Sequence, residues 1–295
     1  MIEALPQLLL NAIITGSIYA LAGAGVALTF GLLRILNFAH GHLMMVGAYI
    51  TYWLAVESKV SLPTTALLST VLVALVALVT LEIFVRPFSK YHSLLPLITT
   101  LTLATILESL VSIQFGVTVK SFDAPLTSFN FYGMYITPSQ IVIIASAVVV
   151  MVGMALIIHG TSWGRVLRAL TEHPESVAAL GISDRLFTTI VFVLGTVLAA
   201  YAGVLVGYET NIQPTMGSQY TIKAFAAMVL GGLGNVWGTI IGCYVLGLLE
   251  NLSVGISFGD WSIPSGYKEA FSFVIILFVL LIKPYGIFGK PPRDV

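Results

Sequence analysis

Five polar side chains within one apolar stretch are spaced to share one side of a helix. On a helix with 100° per residue, an arc of about 80° holds Thr102, Thr105, Ser109 and Ser112, and Glu108 lies roughly 40° beyond its edge. Ionisable groups inside hydrocarbon are costly, so they usually face protein or water. We predict that this face either lines a path for a polar solute or bonds to neighbouring helices, with Thr102, Thr105 and Glu108 as the path candidates.

A second polar group follows Arg34. One helical face is predicted to carry Asn37, His40, Gly41 and Met44. A neutral histidine here could hydrogen-bond a break in buried backbone or gate a pore, and a packed histidine is the alternative. The neighbouring residues include no Cys, Asp or Glu at metal-ligand spacing, so no metal site is predicted. Asn37 and His40 join the path candidates.

The sequence lacks the motifs of nucleotide hydrolysis and of nucleophilic catalysis. No Gly-x-x-x-x-Gly-Lys-Ser/Thr loop is present to bind ATP phosphates. No Ser/His/Asp or Cys/His arrangement falls in a segment that could form a soluble active site. The single cysteine, Cys243, excludes an intrachain disulfide. We therefore predict that the chain is not an enzyme and binds no cofactor.

The composition is typical of a membrane protein. Of the 295 residues, 58% are hydrophobic and 9% are charged, whereas about 25% are charged in an ordinary soluble domain. Lys plus Arg equal Asp plus Glu at 13 each, so no basic excess indicates nucleic acid as a partner. The predicted fold is all-α, a polytopic transmembrane bundle of about seven or eight hydrophobic helices in contact with lipid. It forms a single domain over residues 1–295.

The apolar stretches and the charges between them predict an orientation in the membrane. The stretches lie at 8–33, 38–56, 62–85, 94–116, 139–159, 187–208, 222–251 and 268–283. The positive-inside rule assigns to the cytoplasm the basic connections 86–93 and 160–186 and the C-terminal tail. The outside is assigned to the connections with few basic residues, which are 57–63, 117–138, 209–221 and 252–267.

The stretch 222–251 is predicted to be broken. The connections on either side of it are both assigned to the outside, yet a single crossing would put them on opposite sides. Gly231-Gly232-Leu233-Gly234-Asn235 interrupts the stretch and leaves arms of about 10 and 16 residues, each too short for a span. We predict a re-entrant hairpin whose break faces the path at membrane depth, with Asn235 as a further path candidate. A continuous helix, giving eight crossings, is the alternative.

The cytoplasmic connection 160–186 has the pattern of short helices. Trp163 to Leu170 is a basic amphipathic segment, Pro174 breaks it, and a second short helix ends at a glycine. Such an element could dock into a groove on a cytoplasmic partner. Alternatively, it could lie on the anionic inner leaflet, which attracts arginine. The docking candidates are Arg165, Arg168, Glu175 and Gly181.

Five motifs occur in order along the chain. They are Gly16-Ser17-Ile18-Tyr19-Ala20-Leu21; Asn37-Phe38-Ala39-His40-Gly41; Gly164-Arg165, Arg168-Ala169 and Pro174-Glu175 through Gly181-Ile182; Lys223-Ala224-Phe225 through Gly231-Gly232-Leu233-Gly234; and Lys283-Pro284-Tyr285-Gly286-Ile287-Phe288-Gly289. Together they resemble the permeases of the branched-chain amino-acid type of ABC importer, as the first of the two permease subunits. The resemblance runs from Asn11 to Gly289. One departure is Glu-Ser-Val from Glu175, where the family's loop reads Glu-Ala-Ala.

This resemblance implies an importer subunit in a bacterial inner (plasma) membrane. Such a permease pairs with a second homologous permease, binds two cytoplasmic ATP-binding subunits through a coupling helix, and receives solute from an external solute-binding protein. ATP and Mg²⁺ would bind to the partner subunits. The implied solute is a branched-chain or related amino acid, or alternatively urea, an amide, or an aromatic or small organic acid. A stand-alone channel or secondary transporter is the alternative from another class, but it needs no docking helix at 163–181.

Overall fold

The computed structural model describes most of the chain. The described residues are 5–92, 94–122, 127–131, 133–172, 177, 180–255, 257–258, 261–262 and 264–289. Within them the secondary structure is helical apart from two short antiparallel β-hairpins. The all-α fold class predicted from the sequence is confirmed.

The helices follow the apolar stretches of the sequence. They are α1 (Leu5–Leu33), α2 (His40–Tyr52), α3 (Leu62–Val79), α4 (Arg86–Ser89), α5 (Leu95–Phe115), α6 (Pro138–Ala155), α7 (Ser162–Glu172), α8 (Asp184–Glu209), α9 (Met216–Gly231), α10 (Val236–Gly255) and α11 (Lys268–Ile282). Helical turns of the π type extend α2 over Trp53–Glu57, α3 over Thr80–Val85 and α6 over Leu156–Gly160, and a 3₁₀ turn, Ser265–Tyr267, precedes α11. The hairpins pair β1 (Phe129–Phe131) with β2 (Met134–Ile136), and β3 (Ser257–Phe258) with β4 (Trp261–Ser262).

Several of these helices can cross a membrane. Among the described residues, six helical segments are long and apolar enough: Leu5–Leu33, Thr64–Ser89, Leu95–Phe115, Pro138–Gly160, Asp184–Glu209 and Val236–Val254. Many large apolar side chains of α3, α5 and α6 are exposed, as expected where lipid is the solvent. The chain is therefore a multi-pass helical membrane protein.

Helix α1 forms the centre of the bundle because small residues let its neighbours approach closely. Most of its length is buried. A Cβ added to Gly23 would lie 2.6 Å from Sγ of Cys243 on α10, and a Cβ added to Gly195 of α8 would lie 2.9 Å from the carbonyl oxygen of Gly25. Lipid supplies no hydrophobic drive for helix association, so close backbone packing of this kind holds such a bundle together.

The two ends of the bundle agree with the charge-based orientation. At one end, Arg86 donates to Oγ1 of Thr189 at 2.8 Å and Arg185 donates to Glu82 at 3.2 Å, which joins the basic connections before α5 and α8. At the other end, the backbone N–H of Lys120 donates to the carbonyl of Ile212 at 2.9 Å. The positive-inside rule predicts that this basic end faces the cytoplasm.

The predicted glycine-rich break lies between α9 and α10. Residues 232–235 connect these helices, and Gly232 and Gly234 have φ values of 110° and 84°, which favour glycine. The two arms contain 16 and 20 residues, so they are longer than the predicted arms of about 10 and 16. The α10 arm alone is long enough to cross a membrane.

This break lies at the basic end of the bundle. Gly234 packs against the guanidinium of Arg34. The N–H of Ile287, in the C-terminal segment, donates to the carbonyl of Leu230 at 2.8 Å. The break is therefore next to Arg34 and the C-terminal segment, and its depth in the membrane stays a prediction. Which arms cross the membrane stays a prediction.

Non-helical backbone inside the bundle lies instead between α1 and α2. Arg34 follows the end of α1 with a φ of 57°, and Nε2 of His40 bonds to the carbonyl of Ala22 at 3.0 Å. Ala22 precedes Arg34 by twelve residues, which is about 18 Å of α-helix. Helix α2 therefore begins deep in the bundle. Backbone of this kind is tolerated only where neighbouring groups satisfy it.

Candidate functional site

The polar face predicted on α5 is exposed in the structure. Thr102, Thr105 and Ser109 are exposed, and Ser112 is partly buried. The hydroxyl of Thr102 donates to the carbonyl of Ile98 at 3.1 Å, and that of Thr105 donates to the carbonyl of Thr102 at 2.8 Å. Because these bonds stay within α5, the face is free to contact water, solute or another protein.

Glu108 connects this face to the interior. Its Oε2 lies 3.2 Å from Nε2 of His42 on α2. Oγ of Ser218, in the first turn of α9, lies 3.4 Å from the same nitrogen. The Glu108 side chain keeps 32% of its surface exposed, whereas His42 is 4% exposed. We call Glu108, His42 and Ser218 the three-helix cluster.

Asn37 and His40 are buried at the start of α2. They are 2% and 1% exposed. Oδ1 of Asn37 accepts the N–H of Ala39 at 3.1 Å, and His40 bonds to the carbonyl of Ala22. These two side chains support the buried backbone break, one of the roles weighed for His40, and they do not reach the exposed face of α5.

Two threonines complete the start of α2. The N–H of Phe38 donates to Oγ1 of Thr100 on α5, and the N–H of Gly41 donates to Oγ1 of Thr221 on α9, both at 3.0 Å. Helix N-termini carry N–H groups without intrahelical partners, so these hydroxyls satisfy donors that lipid could not. The start of α2 is thereby fixed to α5 and α9, the other two helices that carry the three-helix cluster.

A buried ionic network lies on the opposite side of α9. Nζ of Lys223 donates to the hydroxyl of Tyr19 and to Oε1 of Glu269, each at 2.7 Å. The Tyr19 hydroxyl donates to Oε2 of Glu250 at 2.6 Å. Lys223 is 8% exposed and Glu250 is 1% exposed. The network joins α1, α9, α10 and α11.

Sequence reasoning missed this network and His42. Lys223 was named as part of a motif, but its partners stand more than 25 residues away on either side. Only the folded bundle brings them together. An ionisable residue inside an apolar stretch is itself a signal, and Glu250 near the end of 222–251 could have been found in that way.

Asn235 lies at the basic end of the bundle, apart from the other path candidates. Its Oδ1 accepts the N–H of Gly238 at 3.0 Å, as an N-cap does in the first turn of a helix. Its Nδ2 donates to the carbonyl of Phe288 at 3.4 Å. Asn235 therefore joins the start of α10 to the C-terminal segment.

Helix α7 lies against the ends of α6 and α1 at the basic end of the bundle. Arg168 donates to the carbonyl of Ile158 at the end of α6, and Oγ1 of Thr171 donates to the carbonyl of Leu32 at 3.1 Å. Arg165 is exposed. The two arginines predicted to dock thus differ, because Arg168 attaches α7 to the bundle and Arg165 is exposed.

The remaining docking candidates lie beyond α7. Gly181 has a φ of 76°, in the left-handed region. Glu175 lies outside the described residues. Among the described residues, no three His, Cys, Asp or Glu side chains are grouped as metal ligands.

The sequence comparisons agree over nearly the whole chain. A family model described as the permease component of the branched-chain amino acid transport system matches residues 8–280. BraD of Pseudomonas aeruginosa, a high-affinity branched-chain amino acid transport system permease protein, is 32% identical over 97% of this chain and 96% of its own length. LivH of Escherichia coli and LivH of Salmonella typhimurium, which carry the same description, are each 30% identical over 97% of this chain and 96% of their own length.

A solved structure has a similar fold. PsaBC from Streptococcus pneumoniae in complex with Fab superposes with a TM-score of 0.53 and 14% sequence identity, covering 96% of this chain and 93% of that chain. At this identity the similarity concerns the fold alone. The family match and the curated relatives carry the assignment: the chain belongs to the family of branched-chain amino acid transport system permease components.

Proposed function

We propose that this chain is the membrane-spanning permease subunit of a bacterial inner-membrane importer for branched-chain amino acids. It pairs with a second permease, two cytoplasmic subunits hydrolyse ATP, and an external binding protein delivers the solute. The described relatives are permeases of branched-chain amino acid systems, which supports this solute class over urea, amides and organic acids. The chain itself transports and does not catalyse a reaction.

The observation that carries the proposal is the exposed polar face of α5. Thr102, Thr105 and Ser109 form it on a helix that also exposes Ile98 and Ile113. The carboxylate of Glu108 lies beside this face, and a carboxylate in contact with lipid is energetically costly. Polar groups in membrane helices therefore usually face protein or water. The face therefore fits a path formed against a second permease subunit.

Motion reaches this path from the cytoplasmic side through α7. Arg168 and Thr171 attach α7 to the ends of α6 and α1, while Trp163, 46% exposed, and Arg165 remain available to a partner. ATP-driven closure of the partner subunits pulls on this helix. Since α1 is the centre of the bundle, its displacement shifts the helices packed on it.

Reconstitution tests the proposal. The chain is placed in proteoliposomes with the second permease, the ATPase subunits and the binding protein from the same source. We expect uptake of labelled leucine that requires ATP and every subunit. Leucine uptake by the chain alone, without an ATPase, would instead support a channel or secondary transporter.

A charge reversal tests the role of α7. Arg165→Glu should weaken co-purification of the ATPase subunits at least about tenfold, because a favourable charge contact at an interface becomes a repulsive one. Lys90→Glu, an exposed charge at the same end of the bundle, is the control. Equal ATPase retention by both variants would count against docking through α7.

A further inference from the structure

We propose that the three-helix cluster of Glu108, His42 and Ser218 binds the charged α-amino acid headgroup of the solute. Glu108 accepts the α-ammonium group, and the N–H of His42 with the hydroxyl of Ser218 donates to the α-carboxylate. This inference rests on the proposed function and names the part of the solute that the path recognises.

The carboxylate of Glu108 lacks a cation. Glu82 is paired with Arg86 and Arg185, and both Glu250 and Glu269 lie within 3.5 Å of Lys223. In the described part of the chain, the ionic contact of Glu108 is with His42 alone. A carboxylate in a membrane helix without a compensating positive charge is costly, so this position suits a cation that arrives with the solute.

The geometry around His42 favours a neutral imidazole that donates from Nε2. Nε2 of His42 lies 3.2 Å from Oε2 of Glu108, a distance at which the Nε2–H tautomer donates to the carboxylate. Its Nδ1 is buried and has no hydrogen-bond partner in the described residues. A second proton on Nδ1 would leave a buried donor unpaired, which disfavours the imidazolium form. In this tautomer the cluster offers a solute one carboxylate acceptor and one N–H donor.

The cluster matches the size and polarity of a zwitterion. Oε2 of Glu108 and Oγ of Ser218 lie 3.2 and 3.4 Å from the same Nε2 of His42. In an α-amino acid the ammonium and carboxylate groups are attached to one carbon. Such a molecule can contact the acceptor with one group and the two donors with the other, replacing the bond between Glu108 and His42.

The surroundings favour an aliphatic side chain on that amino acid. Ser218 is exposed in the first turn of α9, and Ile222, one turn later, is 56% exposed. On α5, Leu101 and Ile106 are exposed on either side of the threonines. An apolar side chain held beside the cluster would contact these groups and lose little hydration.

Direct binding to the transporter without its binding protein tests the inference. The assembled permeases and ATPases in detergent are titrated with labelled L-leucine, and unlabelled compounds compete. We expect displacement by leucine, and at least about tenfold weaker displacement by 4-methylpentanoate, which lacks the ammonium group. Glu108→Gln should weaken leucine binding by a similar factor and should remove the difference between leucine and 4-methylpentanoate. Glu108→Asp, which keeps the charge, should retain the difference.

Transport by the complete system supplies the second measurement. Glu108→Gln should lower the maximal rate of leucine uptake at least about tenfold, with an unchanged KM because the binding protein sets the concentration dependence. Glu57→Gln, the same substitution at an exposed glutamate at the end of the α2 extension, should transport as the unchanged chain does. Tight leucine binding and full transport by Glu108→Gln, in a system whose unchanged form imports leucine, would overturn the headgroup site while leaving the proposed function intact. Failure of the unchanged system to import any branched-chain amino acid would overturn both.

Discussion

The hydroxyl of Tyr19 lies between the only two charges it contacts in the described network, accepting from Lys223 at 2.7 Å and donating to Glu250 at 2.6 Å. Two hydrogen bonds to the Tyr19 hydroxyl thus link the ammonium group of Lys223 to the carboxylate of Glu250. Glu250 keeps one buried oxygen without a hydrogen bond. Without Tyr19 and Lys223 this carboxylate would be buried without compensation, which is strongly destabilising.

Removing the lysine should destabilise the protein. Lys223→Met leaves Glu250 without its positive partner, and breaking a buried pair in this way costs about 3–5 kcal/mol. The midpoint of thermal denaturation in detergent should fall clearly. Lys90→Met, which removes an exposed lysine, should leave the midpoint unchanged.

Removing the buried carboxylate as well should restore stability. In Lys223→Met/Glu250→Gln no buried charge remains unpaired, and Glu269 keeps 42% of its side-chain surface exposed. We expect the double variant to melt closer to the original chain than Lys223→Met does. A double variant less stable than both single variants would show that the pair itself, and not the unpaired charge, dominates.

The packing of α1 on α10 gives a second prediction. A Cβ at Gly23 would lie 2.6 Å from Sγ of Cys243, and the next atom is 3.8 Å away. Overpacking of this kind costs about 1–3 kcal/mol, so Gly23→Ala should lower the denaturation midpoint. Gly153→Ala on α6 is the matched control, because a Cβ there meets no atom within 4 Å.

The contact can be relieved from the other side. Cys243→Ala removes the Sγ atom, so Gly23→Ala/Cys243→Ala should recover most of the stability lost by Gly23→Ala. The four midpoints form a double-mutant cycle, and neighbouring residues in contact are expected to be non-additive. Additive effects would mean that a different contact limits the approach of α1 and α10.

The helices could be predicted well because the residues that define each helix are consecutive in the sequence. Apolar stretches of sufficient length give the spans, and glycines such as Gly232 and Gly234 give the turn between α9 and α10. The buried start of α2 was harder to predict, since the N–H groups of Phe38 and Gly41 donate to hydroxyls of Thr100 and Thr221 on distant helices. No residue near Asn37 in the sequence indicates that these two threonines will accept hydrogen bonds there.

The candidate site was predicted only in part, because local patterns show a shared helical face and do not show partners that are distant in the sequence. A helical wheel places Thr102 and Thr105 on one face, and that face is exposed. The partner of Glu108 is His42, 66 residues away, and no local pattern selects it over His40. The sequence likewise predicts a free Arg168, whereas in the structure its guanidinium donates to the carbonyl of Ile158.

The backbone at Gly181 gives a third prediction, which rests on the proposed coupling role of this connection. Its φ of 76° is in the left-handed region, and a Cβ added there meets no described atom within 4 Å. Any effect of substitution is therefore on the backbone. Gly181→Val should raise the ATP hydrolysed per leucine transported, because a β-branched residue is an outlier in this region.

Asparagine supplies the control for this position. It tolerates the left-handed region far better than valine does, so Gly181→Asn should keep the original ratio within about twofold. Gly160→Val is a second control, since Gly160 lies in the same connection without a positive φ. If Gly181→Asn uncoupled transport as fully as Gly181→Val, backbone conformation would not explain the effect.

The turn between α9 and α10 gives the last prediction, which concerns membrane topology. Leu233 is 54% exposed in that turn, and Gly234 beside it packs on Arg34 at the basic end. In a Cys243→Ala background, Leu233→Cys should react with a membrane-impermeant maleimide in inside-out vesicles and stay unlabelled in right-side-out vesicles. Vesicles that carry the permeases without ATPase subunits keep this surface uncovered.

A cysteine at the opposite end should show the reverse pattern. Val117 is 78% exposed just after α5, so Val117→Cys should react only in right-side-out vesicles. A re-entrant break entered from the outside would leave Leu233→Cys unlabelled in inside-out vesicles, although it would react after denaturation. Labelling from the cytoplasmic side alone therefore separates two long arms that turn at the surface from a short re-entrant loop, because only the former exposes the turn to cytoplasmic water.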